Sequence, residues 1–293
     1  MPNKKNSLHF TKLKEQWTKR HRKQSLEIFK THKESFDWLI KNSKQLTVGS
    51  LAGLFLLTQP IITKVPVAFS QNVSQVSQTV DKKAFLVFDL KSVLPESVQS
   101  LSNEQENQVS QILTRDFGFT VVPQVLGKRL NMTYGFIGQE QHLARFPGDN
   151  MYSHFQDPLE AQKYWDYGMA PGLGGWGYFA SSQATMTQKD IDREKYYIAV
   201  QTFLAPGFDQ NPKEYLDFFK YRKMLLVNPQ NGKAIVVVIG DAGPAPWTGK
   251  SLGGSPEVMN YLERLDGSQK GAVLYFFIDD PNDTIPLGPV SSL

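Results

Sequence analysis

The chain reads as a mainly β protein of the α+β class, preceded by a single N-terminal transmembrane helix. Three observations support this. The segment Lys233 to Pro244 carries the unbroken β-branched run Ile235-Val236-Val237-Val238-Ile239 straight into Gly240-Asp241 and a Gly243-Pro244 turn. A run of this kind is expected of a strand buried on both faces. Aromatic residues make up 12% of the chain, and its 22 glycines and 17 prolines suit many turns and few long helices. Finally, Leu46 to Thr63 is 18 residues long without a charge, near the lower limit for a membrane-spanning helix.

Charge divides the chain. Residues 1–45 hold 12 Lys/Arg against 4 Asp/Glu, so the net charge of +4 conceals a net negative remainder. A basic flank before an apolar segment places the N-terminus in the cytoplasm and the residues beyond it outside. The resulting organisation is a basic cytoplasmic segment (1–45), a transmembrane signal anchor (46–63), a polar linker (64–83), an α/β extension (84–175) and a β-barrel domain (176–293). The expected location is a bacterial cell membrane, crossed once. Leu26, Phe29, Phe36, Leu39 and Ile40 lie at partly helical spacing among basic residues. They fit a helix on anionic lipid or a solvated charged helix. No recognition motif accompanies the charge, so no nucleic acid is expected.

Cysteine is absent. That removes cysteine-nucleophile hydrolases, thiolate metal sites and disulfides.

Within the extracytoplasmic part, Ala84 to Leu90 has strand composition. Asn103 to Arg115 has helical spacing, with Val109, Ile112 and Leu113 on its apolar face. Phe117 to Val125 returns to strand composition. Met132 to Asp149 concentrates aromatic, Gly, Glu, His and Arg residues. His142, Asp149 and His154 match none of the usual zinc spacings, so a packed loop is expected there, with no metal and no cofactor. Tyr164 to Tyr178 is rich in aromatics and glycine; Trp176 and Tyr178 suit sugar stacking or loop packing. Tyr196 to Phe203 and Met224 to Val227 are strand candidates. The Asn228-Pro229-Gln230-Asn231-Gly232 turn then joins the second of these to Ala234–Ile239 as a hairpin. A loop, Ala242 to Gly254, follows Asp241. Ser255-Pro256-Glu257 opens a short helix to about Leu262, with Ser as N-cap and Pro at the first position. Ala272 to Ile278 is the closing strand. Asp241, fixed at a strand end, suits acid/base work or serves only to cap its turn.

The order of Asn228, Asn231-Gly232-Lys233, Val236-Val237-Val238, Asp241, Gly243-Pro244, Gly249-Lys250, Ser255, Leu262 and Gly271-Ala272-Val273 resembles the rare lipoprotein A family. It is more distantly similar to the expansins. Met186 to Thr202 resembles the family's first barrel strands loosely. The resemblance implies a six-stranded double-psi β-barrel directed at peptidoglycan or a related polysaccharide. It implies a lytic transglycosylase in which Asp241 is the single acid/base, with Trp247, Thr248 and Lys250 lining the groove and Ser255 at the helix start. Three positions differ from the catalytic members: Val200 stands where they carry His, Ala242 where they carry Arg, and Gly254 where they carry Asp. The alternative is a non-catalytic wall-binding or scaffold module.

Overall fold

Two phases of side chains alternate along the long strands, and both are buried. On β6 (Lys223–Val227), β7 (Ala234–Ala242) and β9 (Lys270–Ile278), one phase comprises Met224, Leu226, Ile235, Val237, Ile239, Val273, Tyr275 and Phe277. The other comprises Leu225, Val227, Ala234, Val236, Leu274, Phe276 and Ile278, packed with Leu86, Leu90, Val109, Leu113 and Phe117. A continuous β-branched run satisfies both phases at once, as expected for strands covered on each face. Each fully buried aliphatic or aromatic side chain contributes roughly 1.5–3 kcal/mol, which anchors this sheet firmly.

The structure is a computed structural model and describes residues 82–264 and 270–293. The expected span Leu46–Thr63 and the basic lead lie outside the described residues. Among the described residues no helix is long and apolar enough to cross a membrane.

Six strands close into a barrel in the order β9-β4-β8-β5-β7-β6 and back to β9. The remaining three members are β4 (Tyr134–Gln139), β5 (Tyr197–Val200) and β8 (Leu252–Gly254). β4–β8 and β5–β7 are parallel, and the other four pairings are antiparallel. This mixed, closed sheet is compatible with a double-psi barrel. Short strands extend it: β1 (Val121–Val122) on β9, and β10 (Gly288–Val290) on β7. β2 (Gln124–Val125) and β3 (Lys128–Arg129) form a separate ribbon.

Two helices, α1 (Lys82–Val93) and α2 (Asn103–Phe117), cover the outer face. α2 follows the expected helical spacing, although Ile112 is only half-buried. It begins with a capping box between Ser102 and Gln105 and ends at Gly118 in the left-handed region. The segment Ala84–Leu90 is α1 and not a strand. Leu86 and Leu90, one helical turn apart, are fully buried, while Phe85 and Phe88 stay exposed. A seven-residue apolar run fits both periods, and here the outer barrel face selects the helical one.

The β6–β7 hairpin forms as expected. Gly232 takes φ +69°, and the Asn228 and Asn231 side chains accept from the backbone N–H of Gln230 and Lys233. Part of Met186–Thr202 is helical: α5 (Gln188–Lys195) precedes β5. Three further short helices are α3 (Met151–His154), α4 (Pro158–Tyr164) and α6 (Pro212–Phe219). β4, a full member of the barrel, comes from the segment read from sequence as an upstream extension. Its mixture of Gly, Tyr, Phe and Ile carries no clean alternation.

The β9–β10 connection is pinned by Asp280. Its carboxylate accepts from Lys223 Nζ (2.7 Å), from Thr284 N (2.9 Å) and Oγ1 (3.0 Å), and from Ile285 N (2.9 Å). Burial works against ionisation, but these donors outweigh it and hold the carboxyl well below its ordinary value of 3.8. The folded state therefore binds fewer protons than the unfolded state at acid pH. This stability is fully present above pH 3.8 and is lost as pH falls further below it. Thermal unfolding midpoints are expected to fall in that window, and Asp280→Asn is expected to flatten the dependence. An unchanged acid limb in the variant would show that another carboxylate governs it.

Candidate functional site

Asp241 sits at the end of β7, and a β-bulge sets its direction. Ile198 pairs with Ile239, but the next residue of β5, Ala199, pairs with Asp241. Gly240 is the extra residue. Without it, Asp241 would continue the inward phase of Ile235, Val237 and Ile239; with it, Asp241 shares the face of Ala199, opposite Ile198 and Val200. Only glycine fits at 240, since a Cβ there would lie 2.6 Å from Tyr197 Cβ.

The carboxylate meets the segment 168–180. Asp241 Oδ1 accepts from Gly175 N at 2.6 Å and from Ala242 N at 2.7 Å. The approach is close: a Cβ on Gly175 would lie 3.2 Å from Asp241 Oδ1, and one on Gly174 would lie 3.2 Å from the Gly240 carbonyl. Burial raises the Asp241 pKa above its ordinary value, and the two backbone donors oppose this only in part. A half-buried carboxyl with a raised pKa and one oxygen pinned by the backbone can hold and deliver a proton.

Trp176 follows Gly175 and is half-buried, with its indole N–H donating to Leu216 O at 3.2 Å. Tyr178 is partly exposed. The loop after β7 carries Trp247, Thr248 and Lys250. Trp247 is 88% exposed, the most solvent-exposed indole among the described residues that bear on the site. Thr248 Oγ1 is spent within the loop, donating to Ala245 O at 2.7 Å. Lys250 Nζ donates to Glu140 Oε1 at 2.9 Å and Gln139 O at 3.0 Å. Gln201 braces the same loop through the carbonyls of Pro244 and Lys250. Ser255 caps α7 (Pro256–Tyr261) as expected, accepting from Val258 N. It is fully buried, and its hydroxyl donates to Lys195 O at 2.7 Å. Asp241 thus meets the backbone of Gly175, whereas the indole of the next residue, Trp176, packs on the barrel core; Trp247 and Lys250 share one loop, and Ser255 lies in the interior.

Sequence reasoning missed Glu140. It stands at the end of β4, and a Cβ on Gly253 would overlap its carboxylate, so the glycine of β8 makes room for it. The phenol of Tyr197 is buried and held well above its ordinary pKa by that burial and by the charges of Glu194, Glu140, Asp241 and Glu257. Its hydroxyl donates to Gln141 O.

Beneath this lies a buried charged cluster. Arg145 binds Glu194 Oε2 through Nε (3.0 Å) and Nη2 (2.8 Å), and binds His154 O through Nη1 (2.7 Å). Glu194 Oε1 accepts from Leu143 N at 3.0 Å. Burial pushes the Glu194 pKa up, but the Arg145 charge and the neighbouring imidazoles hold it well below the carboxylate range. His154 Nδ1 is 2.9 Å from Asp149 Oδ2. Burial disfavours its cation, yet Asp149 and Glu194 raise its pKa to about 9. Glu257, on α7, is pushed up to about 8 by burial and by the charge of Glu194. His142 Nδ1 lies 3.6 Å from Glu194 Oε1 and 4.0 Å from Glu257 Oε1. His142, His154 and Glu194 present ligand-type atoms within 4.8 Å of one another. Spacing could not reveal this set, because Glu194 comes from a polar helix 40 residues beyond His154 and reads as a solvated charge.

No protein-family model matches this chain, and no curated protein matches it.

Proposed function

We propose that the chain is a membrane-anchored extracytoplasmic cell-wall protein whose barrel, of the double-psi type seen in rare lipoprotein A-like proteins, acts on peptidoglycan glycan strands. The observation that carries this reading is Asp241, turned out of the barrel by the Gly240 bulge and held half-buried under Gly175 with a raised pKa. A lytic cleavage needs one acid to protonate the glycosidic oxygen. Internal attack by the muramyl C6 hydroxyl then replaces the water or nucleophile that a second carboxylate would serve. The same Asp accepts that hydroxyl's proton. Trp247 offers an open aromatic face.

A second reading, a wall-binding module without catalysis, is favoured by Val200. It occupies the position of the family's His and is 1% exposed, facing the barrel core. The fragment Ser77–Leu293, one compact unit, separates the two readings. Incubation with purified cell wall releases soluble muropeptides under the catalytic reading. Under the binding reading the protein pellets with the wall and nothing is released. Pelleting no better than an unrelated control sinks both.

Trp247→Ala tests the aromatic face. Its stability is expected to stay within about 0.5 kcal/mol of the parent, as for an exposed side chain. Wall pelleting is expected to weaken about 2- to 10-fold, the range of one aromatic contact. Unchanged pelleting would remove Trp247 from the groove.

A further inference from the structure

We propose that His142, His154, Glu194 and Glu257 form a closed structural site for one divalent transition-metal ion of the zinc type. A hydrogen-bonded polar cluster leaves few buried atoms without partners, and each one left so costs about 1–3 kcal/mol. Here both ring nitrogens of His142, Nε2 of His154 and both carboxylate oxygens of Glu257 are buried without a hydrogen bond. These orphaned atoms come from three separate parts of the chain, and Glu194 comes from a fourth.

The spacing fits coordination better than hydrogen bonding. Tetrahedral zinc with bonds of about 2.0–2.1 Å sets its ligand atoms roughly 3.3 Å apart. The separations are 3.2 Å between His154 Nε2 and Glu194 Oε2, 3.6 Å between His142 Nδ1 and Glu194 Oε1, and 4.0 Å between His142 Nδ1 and Glu257 Oε1.

The surrounding residues are those that a metal site needs. Asp149 bonds His154 Nδ1, leaving Nε2 facing the cluster, and is itself fixed by Arg145 N and Ser153 Oγ. A carboxylate behind a histidine in this way fixes the tautomer and orients the ring for a metal. Leu143 N and Arg145 hold Glu194. With neutral imidazoles, a divalent ion and Arg145 together offset the charges of Asp149, Glu194 and Glu257. Two imidazoles with carboxylates and no thiolate suit zinc and its neighbours rather than magnesium or calcium. Side-chain exposure is 0% for both histidines and Glu194 and 4% for Glu257, which makes the site closed and structural rather than catalytic.

The ion would brace the cover of Asp241. His142 N donates to Gly168 O (3.0 Å) and Ala170 N donates to His142 O (2.8 Å), so the metal-bearing strand end is stitched to the segment 168–180. Leu143 abuts Gly174, next to the Gly175 whose N–H holds Asp241. The metal inference does not depend on the glycan reading.

The test uses the full-length chain, expressed with zinc supplied and purified without chelator. Elemental analysis is expected to find about one zinc per chain, the stoichiometry of a single closed site. Chelation is expected to lower the unfolding midpoint by several degrees, with recovery on adding zinc. Cobalt exchange is expected to give the visible absorption of a four-coordinate ion. His154→Gln and Glu194→Gln are each expected to lose the metal. A folded parent chain that carries no zinc and takes none up on dialysis against it overturns the proposal. So does retention of zinc by a folded His142→Gln, His154→Gln double variant, since that would place the ion on the surface. Where a variant does not fold, the metal content and chelator response of the parent decide alone.

Discussion

Asp241→Asn is expected to lower the rate of glycan cleavage by about 10²–10⁴-fold, the usual contribution of a positioned general acid. The fold should survive, because the amide keeps an oxygen for the N–H groups of Gly175 and Ala242. What it loses is the proton. The parent protein should also show the sign of the Asp241 shift. Its pKa lies above the ordinary 3.8 because burial disfavours the anion, so the acid form persists to higher pH than on an exposed aspartate. As pH rises through that raised value the acid is lost, and kcat/KM should fall on the alkaline side. A profile that keeps rising with pH would assign the protonating role to another group. A variant with parental rates would remove Asp241 from the chemistry altogether.

The largest effect on stability is expected from Arg145→Met. Arg145 is the guanidinium that answers the fully buried Glu194, and it also donates to the His154 carbonyl. Its own carbonyl accepts from Phe179 and Ala180, so it joins the charged cluster to the segment over Asp241. Removing one partner of a buried ion pair leaves an uncompensated charge and costs about 3–5 kcal/mol. That is severalfold more than an exposed pair such as Lys213–Asp217 contributes, where each side chain is over 60% exposed. Denaturant unfolding of the two proteins measures the difference directly. A loss below about 1 kcal/mol would mean that the His154 cation, 3.2 Å from Glu194, or a bound metal ion compensates the carboxylate without Arg145.

The parts of the fold legible in the sequence are those whose signal is local. β7, the Asn-Gly hairpin and the Ser255-Pro256 helix start each carry their evidence within a few residues, and the structure has all three. α1 was misread because a short apolar run has no period of its own, and its helical form is decided by the barrel face that it covers. β4 was missed as a barrel strand because its neighbours, β8 and β9, lie more than 100 residues away, so no nearby pattern marks it.

The same distinction runs through the site. Asp241 stood out because a rigid strand leads into it. The bulge at Gly240 did not, since bulging depends on the register of β5 against β7. Ser255 was legible as a cap, and the cap is what occupies its hydroxyl. His142 and His154 were visible as residues, but Glu194 and Glu257 reach them only through tertiary packing. Glu257 in particular reads as an ordinary acid in a helix's first turn, although it is 4% exposed in the fold.

The most direct measurement is the chemical form of the sugar ends that the Ser77–Leu293 fragment releases from purified peptidoglycan, read by mass spectrometry. A single acid/base at Asp241 predicts 1,6-anhydro-muramyl ends, formed by internal attack, and none with Asp241→Asn. Ordinary reducing ends would contradict the account, since they require attack by an activated water; the absence of any released product would contradict it outright.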